Sequence, residues 1–333
     1  MKYTQLGRSG LQVSRLVLGT MNFGVRTSAT DSHAIMDHAH ESGINFFDTA
    51  NVYGVTSQKE VPLGEDSGRG RTEEIIGDWF ALGGGRRERT VIATKLYNPT
   101  VDWPNSGRAS ALAIRRECDA SLRRLKTDHI DLYQLHHVDR STPWDEIWEA
   151  LQVLRNQGKI LYAGTSNHAG WHLAQAQESA RARGLLGLVS EQSLYNLVKR
   201  EVERELIPAA IAYGMSILPY APLHGGFLAA AVGADGGAVR RREGRALQAA
   251  ETLPDRLARY EEFCRELGAA PATVATAWLL HRPGVAAPII GPRTVEQLES
   301  SIPAVDLDLS GEDMDRLDEI FPGYRTAPED YAW

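Results

Sequence analysis

The 333-residue sequence has little of what marks a secreted or membrane-spanning protein. It contains only two cysteines, Cys118 and Cys264, which lie far apart in helix-like stretches. This usage excludes a disulfide scaffold and favours a reducing location. No stretch approaches the roughly 18 consecutive apolar residues of a membrane span, and the opening MKYTQLGRSG lacks the apolar segment of a secretory signal. We therefore expect a cytoplasmic protein without a membrane segment.

The sequence also lacks an excess of positive charge. Lysine and arginine total 36 against 43 acidic residues, which gives a formal net charge of −7. This balance argues against nucleic acid or an anionic membrane surface as the main partner, because both attract an excess of basic residues. It is compatible with a local basic pocket for a phosphate. We expect a small-molecule substrate, and the sequence leaves the oligomeric state open.

A third absence concerns nucleotide and metal sites. No G-x-G-x-x-G follows an early strand, so a Rossmann-type dinucleotide site is not supported. We assign no residue to a metal site. A chain of this length buries enough core to fold without metal or disulfide staples.

What the sequence does contain is an alternation of strand-like and helix-like segments. Two short extended runs, Tyr3–Leu6 and Leu11–Ser14, are joined by a glycine-containing turn and predict a β-hairpin. Eight strand candidates follow, separated by helical segments, which predicts parallel pairing with right-handed crossovers. Such a sheet closes as a barrel or stays open as a doubly wound layer, and apolar strands fit either. The candidates are Leu16–Thr20, Ile44–Thr49, Thr90–Lys95, His129–His136, Ile160–Ser166, Leu188–Gln192, Ser216–Tyr220 and Ala287–Ile290.

Three polar or glycine-rich segments, 55–70, 97–108 and 224–254, each follow a strand candidate. In a barrel they would form long loops at the C-terminal face, where barrel enzymes place their active sites. Tyr97 and Trp103, in the second segment, are candidates for the wall of a substrate pocket; ordinary loop packing is the alternative.

Polar residues gather where three successive strand candidates end. Because side chains alternate across a strand, Asp48, Lys95 and His136 are expected at one mouth, whereas His137 would point the other way. Tyr53 lies just beyond, in a loop. A tyrosine is a weak acid with an ordinary pKa of about 10, and a neighbouring ammonium group would lower that pKa.

These four residues suggest a common chemistry. Tyr53 would donate a proton to a carbonyl oxygen, Asp48 would hold Lys95, and His136 would orient the carbonyl group. Each residue alone has an ordinary structural explanation, such as a capped turn, a solvated lysine or simple packing. The four together, in this order and on these elements, predict a site that reduces a carbonyl group.

Several motifs resemble those of the aldo-keto reductase superfamily. They are LGTMNFG, NFFDTANVYG (Asn45–Gly54), IATK (Ile92–Lys95), DLYQLH (Asp131–His136), GTSN, EQSLYNL, PYAPL and GPRTVEQLE, in the family's order and spacing over residues 3–320. The resemblance implies that Asp48, Tyr53, Lys95 and His136 are the catalytic tetrad. It also implies a single domain over residues 1–333, a (β/α)8 TIM barrel whose N-terminal hairpin closes the bottom. The nearest subgroup resembles bacterial reductases related to potassium-channel β subunits.

By this resemblance the protein is an NADPH-dependent oxidoreductase that reduces an aldehyde or ketone to an alcohol. Two other functions stay open. One is an NADPH-loaded regulatory module that senses redox state for a partner, as channel β subunits do. The other is a barrel lyase or isomerase in which Lys95 forms a Schiff base.

The resemblance also implies an extended NADPH across the barrel mouth. Residues after the first barrel strand would approach it, Ser166, Asn167 and Gln192 would bind its carboxamide, and Tyr220 would stack on its nicotinamide ring. Ordinary core packing is the alternative for Tyr220. The cofactor residues implied up to the seventh strand are Gly19, Thr20, Met21, Asp48, Ser166, Asn167, Gln192, Tyr220, Ala221, Pro222, Leu223 and Gly225.

The segment after the last strand has two compatible interpretations. Thr294 and Gln297 form a capping box, which needs no ligand. The same helix start can also bind an anion, and the resemblance implies that Gly291, Arg293, Thr294 and Gln297 meet the adenosine 2′-phosphate, which favours NADPH. Ser301 is also a candidate cofactor-binding residue at the adenine end, although it departs from the family, where an asparagine usually holds adenine.

Two further features lie after the seventh strand candidate. His224 stands where the subgroup often has a small residue; it would contact phosphate or substrate, or it is a solvated loop residue, which we favour. Arg240, Arg241, Arg242 and Arg245 form either a solvated charged face, which is the more ordinary outcome, or a clamp over the pyrophosphate.

Overall fold

The computed structural model describes residues 1–56, 60–64, 67–229 and 244–332. Two strands, β1 (Tyr3–Gln5) and β2 (Gln12–Ser14), pair antiparallel as the predicted hairpin. The other strands are β3 (Val17–Gly19), β4 (Phe46–Asp48), β5 (Val91–Leu96), β6 (Ile130–Leu135), β7 (Ile160–Ser166), β8 (Leu188–Leu194), β9 (Ser216–Tyr220) and β10 (Ile289–Ile290).

These eight strands form a closed parallel barrel in the order β10-β3-β4-β5-β6-β7-β8-β9. Every one overlaps a strand candidate read from the sequence. The (β/α)8 barrel is therefore confirmed, and the open doubly wound sheet is wrong. The barrel closes between its first and last strands in sequence, because β10 pairs with β3 through Ile289–Val17 and Ile290–Leu18.

The hairpin fills the N-terminal end of the barrel. Leu6 and Val13 are fully buried in one apolar cluster with barrel-lining residues such as Val17, Phe46 and Leu132. Burying two such side chains contributes roughly 3–6 kcal/mol, which offsets the weakness of an isolated two-stranded hairpin. Gly7 makes the close approach possible: its φ is +56°, and an added Cβ would clash with the carbonyl oxygen of Val189.

Helices surround the barrel, and most of them bury one apolar face. In α3, for example, Ile114, Cys118 and Leu125 recur at helical spacing and are fully buried. Both cysteines are buried free thiols, and burial raises the pKa of each to about 12, so neither is a reactive thiolate near neutral pH. The helices are α1 (Ala29–Glu41), α2 (Arg71–Ala81), α3 (Ala111–Leu125), α4 (Trp144–Asn156), α5 (Gly170–Ala182), α6 (Leu206–Ala212), α7 (Gly244–Thr252), α8 (Pro254–Leu267), α9 (Pro271–Leu280), α10 (Val295–Ser301) and α11 (Gly311–Ile320).

The long segments 55–70, 97–108 and 224–254 all follow barrel strands, as predicted, and so begin at the C-terminal mouth. Arg240, Arg241 and Arg242 lie outside the described residues. Arg245 falls within α7, but its side chain is not described. Among the described residues, none of the helices has both the length and the apolar composition of a membrane span.

Candidate active site

A buried ion pair lies inside the barrel at its C-terminal mouth. Lys95, on β5, is fully buried and Asp48, at the end of β4, is 3% exposed. Lys95 Nζ donates to Asp48 Oδ2 at 2.6 Å and to the carbonyl oxygen of Thr49 at 2.8 Å. Burial disfavours the ammonium, but the neighbouring Asp48 carboxylate and Tyr53 phenol outweigh it, so the pKa of Lys95 is raised. Lys95 is therefore an ammonium ion at neutral pH.

The second oxygen of Asp48 accepts from two amide side chains. Gln134 Nε2 on β6 donates to Oδ1 at 3.2 Å, and Gln192 Nε2 on β8 donates to the same oxygen at 2.8 Å. Three barrel strands thus orient one carboxylate. Gln192 was predicted to bind a nicotinamide carboxamide; in the structure its amide nitrogen is bonded to Asp48.

Tyr53 lies in the loop from β4 to α2, within reach of this ion pair. Lys95 Nζ donates to Tyr53 Oη at 3.3 Å, and the tyrosine is partly exposed to solvent. Burial raises the pKa of Tyr53 and the Lys95 ammonium lowers it; the net shift is upward. The expectation that the ammonium would bring this pKa below its ordinary value is therefore wrong for the isolated chain, because desolvation is the larger effect.

His136 follows β6 directly and completes the group. Its ring lies edge-on to the Tyr53 ring, with 5.9 Å between centroids, and its Nδ1 is buried without a hydrogen-bond partner among the described residues. Burial, the Lys95 ammonium and His137 hold the pKa of His136 well below its ordinary value, so the imidazole is neutral. The four residues predicted to converge do converge.

His137 does not turn away from His136 as predicted. The two rings stack at 5.1 Å and are inclined by only 6°. Strand alternation no longer applies there, because β6 ends at Leu135. The ring of Tyr97 packs edge-on against His137 at 5.5 Å, and Trp103 is largely exposed in the same loop.

The residues that follow β3 lie against Asp48. Thr20 Oγ1 donates to the carbonyl oxygen of Asp48 at 2.8 Å, whereas Met21 is exposed. An added Cβ at Gly19 would lie 2.6 Å from Ile289 Cγ2 and 2.9 Å from the Ile290 carbonyl oxygen. The packing of β3 against β10 therefore accounts for this glycine without a ligand.

Asn167 connects the ends of three strands. It has a left-handed backbone, with φ of +60°. Its Nδ2 donates to the carbonyl oxygen of His136 at 3.1 Å and to Ser166 Oγ at 3.0 Å, and its Oδ1 accepts from Tyr220 Oη at 2.9 Å. The predicted carboxamide site and the predicted stacking tyrosine thus form one hydrogen-bonded unit with the segment of His136.

The turn after β9 contains the next predicted cofactor residues. Ala221 and His224 have positive φ, and His224 is only 4% exposed, with its ring against Phe227. The favoured prediction of a solvated His224 is therefore wrong. The remaining predicted residues of this turn are Pro222, Leu223 and Gly225.

The segment after β10 forms the predicted helix start. Thr294 is the N-cap of α10 and its side chain accepts from the Gln297 backbone N–H. Gln297 Oε1 accepts from the Arg293 N–H at 2.9 Å, one residue before the N-cap, so the capping box is shifted. Asn22 Nδ2 donates to the Gly291 carbonyl oxygen at 3.0 Å, and Ser301 Oγ donates back to its own helix at Gln297.

Comparison with known proteins identifies the family. A sequence model described as "Aldo/keto reductase family" matches residues 15–321. The chain belongs to the aldo/keto reductase family. It is similar over its whole length to "Uncharacterized oxidoreductase YrpG" of Bacillus subtilis, at 48% identity with 100% of both chains covered.

More distant aldo/keto reductase relatives also align over nearly all of the chain. "Versiconal hemiacetal acetate reductase" of Aspergillus parasiticus is 32% identical, with 98% of this chain and 100% of the relative covered. A "Probable voltage-gated potassium channel subunit beta" of Arabidopsis thaliana is 30% identical, with 99% and 100% covered. The resemblance to channel-β relatives is thereby confirmed, and the chain is an oxidoreductase of a family that generally uses NAD(P)H.

Sequence reasoning missed some of the residues around this aldo/keto reductase site. Gln134, two residues before His136 on β6, donates to Asp48, and this bond was not anticipated. The available signal was an amide on β6 in the same alternating positions as two apolar residues, Ile130 and Leu132. Asn51 and Glu117, which join the Tyr53 loop to α3, left no comparable signal because their contact depends on tertiary packing.

Proposed function

We propose that this chain reduces a small aldehyde or ketone with NADPH, and that Tyr53 is the general acid. The observation that carries the proposal is the position of one ammonium group. Lys95 Nζ is 2.6 Å from Asp48 Oδ2 and 3.3 Å from Tyr53 Oη, inside the barrel mouth. A phenol beside a buried, paired ammonium is arranged to lose a proton and leave a stabilised phenolate.

The charge states support proton donation by Tyr53. Because the pKa of Tyr53 is raised, the resting residue carries its proton at neutral pH. When the carbonyl oxygen of a substrate takes that proton, the Lys95 ammonium stabilises the negative charge left on Oη. Asp48 in turn keeps Lys95 charged. General acid catalysis of this kind contributes roughly 10²–10⁴-fold.

His136 has the properties of a positioning donor for the carbonyl oxygen. Its imidazole is neutral, so it offers one N–H donor rather than a competing positive charge. Its ring lies beside the Tyr53 ring at the mouth. We propose that it hydrogen-bonds the carbonyl oxygen and holds it toward Tyr53.

The side chains that follow β7 to β10 around the barrel mouth come in an order that suits the successive parts of a nicotinamide dinucleotide. Around the mouth come an amide and hydroxyl pair (Ser166 and Asn167), a partly exposed aromatic ring (Tyr220), a glycine turn at Gly225 and then Arg293. These suit a carboxamide, a flat ring, a pyrophosphate and a terminal phosphate. Bound NADPH would supply the hydride. Arg293 is the proposed contact of the 2′-phosphate, because a guanidinium binds phosphate through several N–H groups.

The Schiff-base alternative is disfavoured by the same geometry. A lysine that attacks a carbonyl must be a neutral amine, whereas Lys95 is held as an ammonium by Asp48. The regulatory alternative has the support of the channel-β relative. Because Asp48, Tyr53, Lys95 and His136 are all present, we expect that such a module would still oxidise NADPH.

The decisive experiment replaces Tyr53 by phenylalanine. Tyr53→Phe should lower kcat at least 100-fold across a panel of aldehydes and ketones, because general acid catalysis is worth at least about that factor. NADPH affinity, measured by fluorescence titration, should be unchanged. Tyr162→Phe, the same change on β7, is the matched control. Full turnover by Tyr53→Phe would show that Tyr53 is not the acid.

A further inference from the structure

A buried side chain ties the loop of Tyr53 to the neighbouring loop. Asn51, two residues before Tyr53, is fully buried. Its Nδ2 donates to Glu117 Oε2 on α3 at 2.7 Å and to the carbonyl oxygen of Asn98 at 3.2 Å. Asn98 lies three residues after Lys95, in the loop that follows β5. One amide group therefore links the loop that carries the proton donor to the loop that follows the ammonium.

Glu117 anchors this link to a helix. It is 5% exposed, and its other oxygen accepts from Thr100 Oγ1 at 3.3 Å, in the same loop as Asn98. The backbone N–H of Asn51 also donates to the Lys95 carbonyl oxygen at 3.0 Å. Tyr53 and Lys95 are thus held at a fixed separation by contacts that do not involve their own side-chain tips.

The link between Asn51 and Glu117 lowers the free energy of unfolding. Burial raises the pKa of Glu117, which shows that the carboxylate is held where its charge is disfavoured. Asn51 Oδ1 is buried with no hydrogen-bond partner among the described residues. A matched apolar pair at these positions would avoid both penalties. Costs of this kind concentrate where a functional geometry has to be fixed.

We infer that Asn51 is a positioning residue for the proton donor, acting with Glu117 as its anchor. The inference rests on the proposed role of Tyr53. Asn51 keeps Tyr53 Oη within hydrogen-bonding distance of Lys95, and a misplacement of about 1 Å at a catalytic group can cost roughly 100-fold in rate. Within the described residues, the hydrogen bonds of the Asn51 side chain go to Glu117 and Asn98, and not to the phenol or the ammonium.

The first test compares two asparagine-to-alanine variants. Asn51→Ala should lower kcat by about 10- to 100-fold, with NADPH affinity unchanged. Asn45→Ala removes side-chain bonds to Ser14 and Gln12 at the other end of β4 and is the control; its kcat should stay within about threefold of the unmodified chain, a margin too small to indicate lost positioning.

The pH profile separates positioning from general weakening of the fold. Tyr53 is faced by Lys95, Asp48 and His136. In Asn51→Ala the ammonium acts less on the phenol, so the alkaline limb of kcat should move to higher pH. In Asn45→Ala that limb should not move.

A donor–acceptor exchange keeps the inference testable even where Asn51→Ala folds poorly. Asn51→Asp sets two carboxylates against each other and should lose activity. Asn51→Asp combined with Glu117→Gln restores the bond between positions 51 and 117, with the glutamine amide now donating to the aspartate, but leaves the Asn98 carbonyl oxygen without its donor. Because the link to α3 returns, this double variant should recover at least tenfold in kcat over Asn51→Asp alone, part of the loss expected from misplacement. Equal kcat in Asn51→Ala and Asn45→Ala, or no recovery in the exchange, would overturn the positioning role, while an inactive Tyr53→Phe would leave the proposed function standing.

Discussion

The two sides of the barrel mouth are held together in different ways. On the donor side, comprising Asp48, Tyr53, Lys95 and His136, a buried ion pair links the side chains directly. On the proposed cofactor side, the hydrogen bonds among Ser166, Asn167 and Tyr220 join neutral groups, as in the bond from Tyr220 to Asn167. The donor side is thus one charged unit, whereas the cofactor side is a series of local contacts.

The same difference appears in the buried carboxyl groups. Asp48 faces the Lys95 ammonium. Glu191, on β8, is fully buried, and in the described part of the chain its carboxyl group accepts from neutral donors, among them the His168 N–H at 3.0 Å and Ser193 Oγ at 2.8 Å. Burial without a bonded cation raises the pKa of Glu191 to about 7. The buried charge of Asp48 is therefore compensated by the Lys95 ammonium, whereas Glu191 avoids a buried charge by taking up a proton.

The largest effect is expected from Lys95→Met. Removing the ammonium leaves the Asp48 charge buried and unpaired, which costs about 3–5 kcal/mol in the free energy of unfolding. Turnover should fall by at least about 10³-fold, because the variant loses the ammonium that stabilises the Tyr53 phenolate during general acid catalysis. Urea denaturation and steady-state kinetics measure the two losses. Tyr53→Phe should lose turnover with little change in stability, and equal stability losses in both variants would contradict the view of a charged unit.

Glu191→Gln should change the pH dependence of stability. The pKa of Glu191 is about 7 when folded, against 4.5 for an ordinary glutamate. The folded chain therefore holds a proton that the unfolded chain has lost, and this residue's contribution to stability falls as pH rises from about 4.5 to about 7. The loss is about 3 kcal/mol at about 1.4 kcal/mol per pH unit.

Urea denaturation across this pH range tests the Glu191 prediction. The variant should lack this part of the pH dependence, whereas Glu88→Gln, at an exposed turn, should keep it. An unchanged profile in Glu191→Gln would mean that Glu191 is compensated in some other way, as Asp48 is.

The smallest effect in this series is expected from Arg293→Ala. Loss of charge-assisted hydrogen bonds to a phosphate, worth about 1.5–3 kcal/mol, should weaken NADPH binding by about 10- to 100-fold. NADH, which lacks that phosphate, should change little, and so should the free energy of unfolding because Arg293 is partly exposed. Fluorescence titration with both nucleotides measures this. Equal losses for the two would refute the 2′-phosphate contact.

Much of the fold followed from local patterns. Strand alternation placed Asp48, Lys95 and His136 at one mouth, and the structure confirms it. The pattern failed at His137, immediately past the end of β6, where the backbone is no longer a strand. The separate prediction of a solvated loop residue at His224 was wrong, because the sequence gives no sign that this turn folds inward.

The pKa of Tyr53 and the contacts that depend on tertiary packing were harder to predict from the sequence. The direction of the Tyr53 pKa depends on whether desolvation or the ammonium dominates, and that requires the actual burial of the phenol. The link from Asn51 to Glu117 joins residues 66 positions apart through tertiary packing alone. Neither composition nor periodicity carries such information.

The short seam between β3 and β10 has a consequence for how the molecule can be divided. Two residue pairs join the first barrel strand to the last, so the ring is incomplete until almost the whole polypeptide has been synthesised. A fragment that stops before Ile289 would expose the edges of β3 and β9, and open parallel edges invite association with other chains. Shortened versions of this protein should therefore aggregate rather than form smaller working barrels.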